Sequence, residues 1–436
     1  MFSFSITHAA PSSYARTGVI RTPHGDLETP NFIFCATKAA IKGLSMDAVR
    51  RAGADIILSN TYHLMLQPGA AIVEKAGGLH NFMRWNGPLL TDSGGYQVFS
   101  MAWGGIAQDA QRGKRNERDE GTKGKEESDV PASLRPPVPL KGGGLSPRPN
   151  TVLNITEEGV TFQSYLDGTR LLLTPEKSME LQRQLGADLI MAFDECTAFS
   201  NTRDYTETAL ARSNRWGLRS LDDFTKHNAG NRQALYGIVQ GAHYRDLRES
   251  AMRAITEQPY FGTAIGGSFG SSKADLYAIL EWCGPLHKVE RPVHLLGVGD
   301  IADIFAGVRQ GIDTFDCVQP TRLARHGSAL MPGEKAGRIN LRNARFRDDP
   351  TPLDPTLHHE PTAHYTRSYL HHLIHAGEML GVQILAEHNV AVMTRLMRDV
   401  REAIRTNTLD ETEKRWIALE EVTRPYGAPR SSQTAA

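Results

Sequence analysis

The chain has 436 residues, 40% of them apolar and 22% charged, with 49 basic and 49 acidic side chains that cancel. That length and apolar content suffice for a large core, and a net charge of zero excludes a protein coated in unspecific affinity for nucleic acid while leaving room for a local basic surface. Cys35, Cys196, Cys283 and Cys317 show no paired spacing, which excludes a disulfide framework and a thiolate metal site.

The opening residues, Met1 to His8, lack a basic head followed by an apolar run, and no stretch of about 20 apolar residues occurs later, so a soluble, cytoplasmic protein with no membrane partner is expected. Eight short apolar runs then alternate with helix-length segments: 30–36, 55–59, 88–92, 188–193, 234–239, 261–265, 292–298 and 312–318. Strand alternating with helix predicts parallel strands, and eight such units predict an α/β protein built on a (β/α)8 TIM barrel. Residues 1–103 are expected to form its first part and 151–335 its second. Between them, 104–150 is rich in Gly, Pro, Lys, Glu and Arg and is expected to be a disordered insertion, because it cannot bury enough apolar surface to offset its ordering entropy. A helical insertion subdomain is expected over 336–390, and a C-terminal helix and tail over 391–436.

The residues just past each strand carry the chemistry. Leu89-Leu90-Thr91-Asp92-Ser93-Gly94-Gly95-Tyr96-Gln97 drives an acid out of an apolar strand into a glycine turn, and the run ending in Phe315-Asp316-Cys317 delivers a second. In a barrel these strand ends converge on one mouth. Two carboxylates there suit the breaking and remaking of a glycosidic bond, whereas either one alone reads as a cap or a salt-bridge partner. Past the last strand, arginines cluster, beginning with Arg322 and Arg325, and their planar forks suit phosphates. Arg395, Arg398, Arg401 and Arg405 recur at helical spacing opposite Val392, Leu396, Val400 and Ile404, a pattern expected of a charged face turned to solvent.

The runs Ser59 to Leu64, Asp92 to Gln97, Met191 to Cys196, Tyr236 to Gly241, Ala264 to Gly267, Leu296 to Gly299 and Phe315 to Arg322 resemble, in order, the motifs of the tRNA-guanine transglycosylases, or queuine tRNA-ribosyltransferases. The resemblance implies a pentosyltransferase that exchanges guanine at the wobble position of GUN anticodons for queuine, or for a smaller 7-deazaguanine such as preQ1, through a covalent enzyme–RNA intermediate. By that likeness Asp316 is the nucleophile and Asp92 the general acid and base. Ser93, Tyr96, Gln97, Asp194, Cys196, Gln240, Gly267, Ser268, Gly270 and Leu296 match the base-binding set, and Arg322 and Arg325 fall where tRNA binds. Gly270, where relatives using the smaller base carry valine, leads to the expectation of room for the cyclopentenediol of queuine. A homodimer, or a heterodimer with a related subunit, is implied. So is an alternative, a noncatalytic tRNA-binding partner subunit, although such a subunit has no physical need for Asp92, Asp194, Gln240 and Asp316. A barrel glycosidase acting on free sugars leaves the guanine-reading set unexplained.

Family members carry a structural zinc held by three cysteines and a histidine. Here Leu357, His359 and Thr362 stand at the cysteine positions and only His388 matches. The usual site cannot form from that set, so no metal or other cofactor is expected, and the neighbouring histidines are expected to lie unliganded on the surface.

Overall fold

In the computed structural model of the chain, residues 2–102, 152–228, 232–334 and 337–417 are described. The expected insertion at 104–150 and the end of the expected tail lie outside them. Eight parallel strands close into a barrel: β1 (Asn31–Cys35), β2 (Ile57–Ser59), β3 (Leu89–Thr91), β4 (Leu189–Met191), β5 (Ala234–Val239), β6 (Gly262–Ile265), β7 (Val293–Leu295) and β8 (Thr314–Cys317). Each lies within one of the eight apolar runs. Closure joins β8 to β1, with Asp316 opposite Ile33 and Cys317 opposite Phe34.

Successive side chains of a strand point to opposite faces, and here the two faces meet two different cores. Ile33, Leu58, Leu90, Met191, Tyr236, Ile238 and Ala264 pack together inside the barrel. Phe32, Phe34, Ile57, Leu89, Ile190, Leu235, Ile265 and Phe315 pack outward into the core shared with the surrounding helices. The same period of two turns the groups one step beyond the apolar inner residues toward the mouth. Asp92 follows Leu90, Gln240 follows Ile238, and Asp316 lies opposite inner Ile33.

An antiparallel sheet of Ser3–Ala9, Arg16–Thr22 and Gly25–Thr29, which the sequence pattern did not reveal, closes the other end. Its Ile20 and Leu27 join the barrel's inner core. Arg16 fixes it there: Nε and Nη2 donate to the two oxygens of Asp313 at 3.0 and 2.6 Å, and the remaining donors reach the carbonyls of Val289 and Arg291, both at 2.7 Å. A second small sheet, Val152–Ile155, Val160–Gln163 and Arg170–Leu173, stands between β3 and β4.

The helix carrying the arginine stripe, Met379–Thr406, is not a solvent-facing strut. Val392, Leu396, Val400 and Ile404 are buried as expected, but the arginines make ties within the molecule. Arg401 donates to the Pro30 carbonyl at 2.9 Å and pairs with Glu28, Arg405 also reaches Glu28, and Arg395 donates to the Thr356 carbonyl at 3.0 Å. Of the four, Arg398 alone is exposed without such a tie among the described residues; the helix packs along the barrel, and its flanks meet the first strands.

Arg16→Ala strands the buried Asp313 carboxylate with the Val293 amide as its remaining donor, at 2.7 Å. The expected result is a loss of about 3–5 kcal/mol in denaturant unfolding, the range for a buried pair that loses one partner.

Candidate active site

Asp92 leaves β3 and is met at once by the segment after β2. The Thr61 amide donates to its Oδ1 at 2.8 Å and Asn60 Nδ2 donates to Oδ2. Asn60 also caps the helix Thr61–Leu66, its Oδ1 accepting from the His63 amide at 3.0 Å, so one side chain starts a helix and orients an acid. The Thr61 hydroxyl bonds the Asp92 carbonyl at 2.6 Å, and the Ser178 hydroxyl, from the helix Pro175–Leu185, bonds that of Ser93 at 2.7 Å. The turn is therefore held from two sides. Asn60 and Thr61 lie in a run noted in the sequence, but their task was not legible because it depends on the β2–β3 adjacency.

Asp316 faces inward from β8. Its Oδ1 accepts from the Gly297 amide at 2.9 Å, with His294 Nε2 at 3.3 Å, and its Oδ2 faces the Cys35 thiol at 3.6 Å. His294 is fixed beneath it by a contact of 2.9 Å between Nδ1 and the Thr314 hydroxyl.

Burial pushes the Asp92 carboxyl up to about 7, the nearby Asp316 charge adds to the rise, and hydrogen bonds, that of Thr61 foremost, oppose it. No Lys or Arg pairs with Asp92 or Asp316 among the described residues.

Asp194, beyond β4, accepts from Gln240 Nε2 at 2.5 Å and from the Ser93 hydroxyl at 3.3 Å. Burial raises its carboxyl to about 6 against those two bonds. Gln240 Oε1 and Gln97 Oε1 are buried with no partner. Buried acceptors left open are uncommon, and here they stand beside carboxylates at a strand-end mouth, where an incoming ligand can satisfy them. Cys196 is buried in the same cluster, and burial raises its thiol. Tyr96 is 45% exposed, and its hydroxyl is raised first by burial and further by charge at Cys196 and Asp316. Gly267 has φ +90° and lies so close to Gln240 that a Cβ would sit 2.2 Å from Oε1. Leu296 stands beside Gly266, within 3.0 Å of where that residue's Cβ would be.

Gly270 does not join this group as a source of room. Its φ is +84°, and an added Cβ would strike Asp275 at 2.3 Å, so the missing side chain faces the cap of the helix Lys273–Cys283. The expectation of extra space there came from comparing side-chain sizes without the direction in which they point.

Arg248 was not singled out by any motif. It is fully buried, and its donors go to the carbonyls of Ala242, Val239, Gly266 and Ser268 at 2.7, 3.1, 2.7 and 3.0 Å. It thereby ties the end of β5 to the end of β6, fixing Gln240 relative to Gly267 and Ser268. Burial brings its guanidinium down to about 10.

Arg322 and Arg325 lie on the helix Gln319–Arg325 that follows β8. Arg322 is exposed, and burial together with the Arg322 charge lowers the Arg325 guanidinium. Neither has an acidic partner among the described residues.

The residues at the expected zinc position do not fit a metal. Leu357 is buried apolar packing, the Thr362 hydroxyl bonds the His359 carbonyl at 3.4 Å, His359 Nε2 faces Glu387 at 3.2 Å, and His388 Nε2 bonds the Leu330 carbonyl at 2.9 Å. His359 and His388 are buried, contrary to the surface placement expected, while His358 and His364 are exposed.

The family model for queuine tRNA-ribosyltransferase matches residues 11–118 and 145–421. A queuine tRNA-ribosyltransferase of Roseiflexus sp. (strain RS-1) is 40% identical over 426 residues, covering 96% of this chain and 99% of the relative. Those of Halothermothrix orenii and Zymomonas mobilis are each 40% identical, covering 94% and 92% of this chain and 95% and 91% of their own.

Arg248→Ala should cost at least about 3 kcal/mol in urea unfolding, because it opens a cavity and leaves several buried carbonyls without donors. Arg248→Lys should recover only part of that, since one ammonium cannot span the four carbonyls.

Proposed function

The chain belongs to the queuine tRNA-ribosyltransferase family and is a glycosyltransferase acting on tRNA; from that premise we propose that its barrel mouth exchanges guanine at the wobble position of GUN anticodons by double displacement on Asp316, with Asp92 carrying the proton. The observation behind this reading is that the two carboxylates are held inward at one mouth, Asp92 by the Thr61 amide and Asp316 by the Gly297 amide, with burial first and the Asp316 charge in addition lifting Asp92 to about 7.

In the first step an Asp316 oxygen attacks the ribose anomeric carbon. Oδ2 is the less restrained of the two, since it faces only a weak thiol donor while Oδ1 is held by an amide. The glycosidic bond breaks, its electron pair leaves with guanine, and Asp92 supplies the proton that guanine takes up. In the second step the now ionised Asp92 removes a proton from the incoming base. That base attacks the same carbon and Asp316 departs, so two inversions retain the configuration. A carboxyl near 7 can give and recover a proton at physiological pH, which an ordinary aspartate does poorly.

The base is read by complementarity. Asp194 accepts from the N1–H and amino group of a guanine-like edge, and the open amide ends of Gln97 and Gln240, whose orientation the ligand can set, serve the remaining edge. Adenine leaves these groups unpaired, and that cost drives its rejection. Tyr96 covers one face of the base and Leu296 the other, while Arg322 and Arg325 meet the RNA phosphates. Gly270 supplies no room for a larger substituent, so the proposal for the incoming base is the 7-deazaguanine class, queuine and its smaller aminomethyl precursor together.

The deciding experiment incubates the protein with tRNA labelled at the wobble guanine and each base in turn. Guanine release with retention of the new base in intact RNA is expected, and free sugar or cleaved RNA would overturn the reading. Asp316→Ala should abolish both exchange and a denaturation-resistant protein–tRNA adduct, seen by gel electrophoresis.

The pH dependence stems from Asp92. Adduct formation needs its protonated form, so the single-turnover rate should fall as pH rises through about 7. Asn60→Ala removes a donor to the ionised form and raises the carboxyl further. The falling limb should then move to higher pH by on the order of half a unit. A limb that stays in place would exclude Asp92 as the proton donor.

A further inference from the structure

At the opposite end of the barrel, His24, His80 and Asp188 bring two imidazole nitrogens and a carboxylate within 4.8 Å of one another. They come from three distant segments: the turn of the N-terminal sheet, the helix Leu79–Met83, and the residue that opens β4. His24 Nδ1 lies 2.7 Å from Asp188 Oδ1, and His80 Nε2 lies 3.2 Å from Oδ2. The rings are stacked, centroids 3.6 Å apart and planes 14° from parallel.

Two features separate this cluster from an ordinary hydrogen-bonded group. His80 is 9% exposed, and its Nε2, although aimed at the carboxylate, is buried without a hydrogen-bond partner. Asp188 is held rigidly in place: its amide donates to the Leu89 carbonyl at 2.9 Å, its own carbonyl accepts from Ala234 at 2.8 Å, and Oδ2 accepts from the Leu89 amide at 3.0 Å. A fixed carboxylate, a buried nitrogen in need of a partner and a second nitrogen at the surface place N and O donors within reach of one ion, once the stacked rings turn toward it.

We propose that His24, His80 and Asp188 form a site for a divalent transition metal of the zinc class, completed by water on the open His24 side. Two imidazoles and one carboxylate favour such borderline ions over magnesium or calcium, which take oxygen ligands. The metal would staple the N-terminal sheet to the starts of β3 and β4, far from the chemistry at the mouth. Its role is structural, as befits that end of a barrel.

The test uses the full chain, stripped with chelator and re-equilibrated with Zn2+, with Mg2+ as control. Bound metal is counted by mass spectrometry after gel filtration, and Tm is measured with and without zinc. The wild type should retain about one zinc per chain more than His24→Ala, and zinc should raise its Tm by several degrees, a rise that His24→Ala lacks. His24 has a half-exposed side chain, so this variant keeps its fold, and His80→Ala should reproduce the loss. Cobalt in place of zinc should give a visible absorption band that disappears in both variants. The proposal is overturned if the wild type retains no zinc, if His24→Ala retains as much, or if the zinc is lost instead with His359→Ala.

Discussion

The structure depends on keeping carboxylates buried at the barrel mouth with no Lys or Arg among the described residues to neutralise them. Asp92, Asp194 and Asp316 receive hydrogen bonds from Asn60, the Thr61 amide, Ser93, Gln240 and the Gly297 amide, all of them neutral donors. Elsewhere the chain treats buried acids differently. Asp313 is held by Arg16, and Glu195, the immediate neighbour of Asp194, is paired with Arg212 and accepts from the Tyr205 hydroxyl at 2.6 Å. An arginine beside Asp92 would stabilise its charge and carry its pKa down to where no proton could be exchanged at neutral pH. Neutral donors orient the acid while leaving its proton in play.

Such an arrangement is unfavourable in isolation, and it persists because the surrounding frame over-determines it. The turn after β3 cannot relax, since Ser178 grips the Ser93 carbonyl and a Cβ on Gly95 would meet the Asp194 carbonyl at 2.8 Å. Gln240 cannot drift, because Arg248 binds the carbonyls on either side of its loop. Arg248 does for the backbone what a ligand does for the pocket, saturating acceptors that would otherwise be left open.

How much of this could be read from the residues depends on how local each feature is. The eight strands were legible because short β-branched runs bounded by turn residues specify strands, and the convergence of barrel strand ends on one mouth then brought Asp92, Gln240 and Asp316 together. Features created by the meeting of distant segments were not legible. Asn60 reads as a helix cap until β2 and β3 are neighbours, and Arg248 reads as one more arginine on an amphipathic helix until β5 and β6 end beside it. The stripe at Arg395, Arg401 and Arg405 misled for the same reason, since its partners Thr356, Pro30 and Glu28 lie far away in sequence. Gly270 misled differently, because a positive φ changes where a side chain would point and residue identity carries no direction.

Losing the three cysteines does not leave the C-terminal region unanchored. A structural metal supplies folding energy directly, so its ligands can be replaced only where other interactions take up the load. Leu357 contributes apolar burial, and Glu387 is shared between His359 and Arg51. His388 and Asn389 then clamp the segment that comes after β8. His388 bonds the Leu330 carbonyl, and Asn389 accepts from the Leu330 amide at 2.7 Å while donating to the carbonyls of Pro320 and Ser328 at 2.8 and 3.1 Å. Pro320 belongs to the helix that presents Arg322 and Arg325. The long C-terminal helix therefore positions the arginine-bearing surface by hydrogen bonds from two adjacent residues.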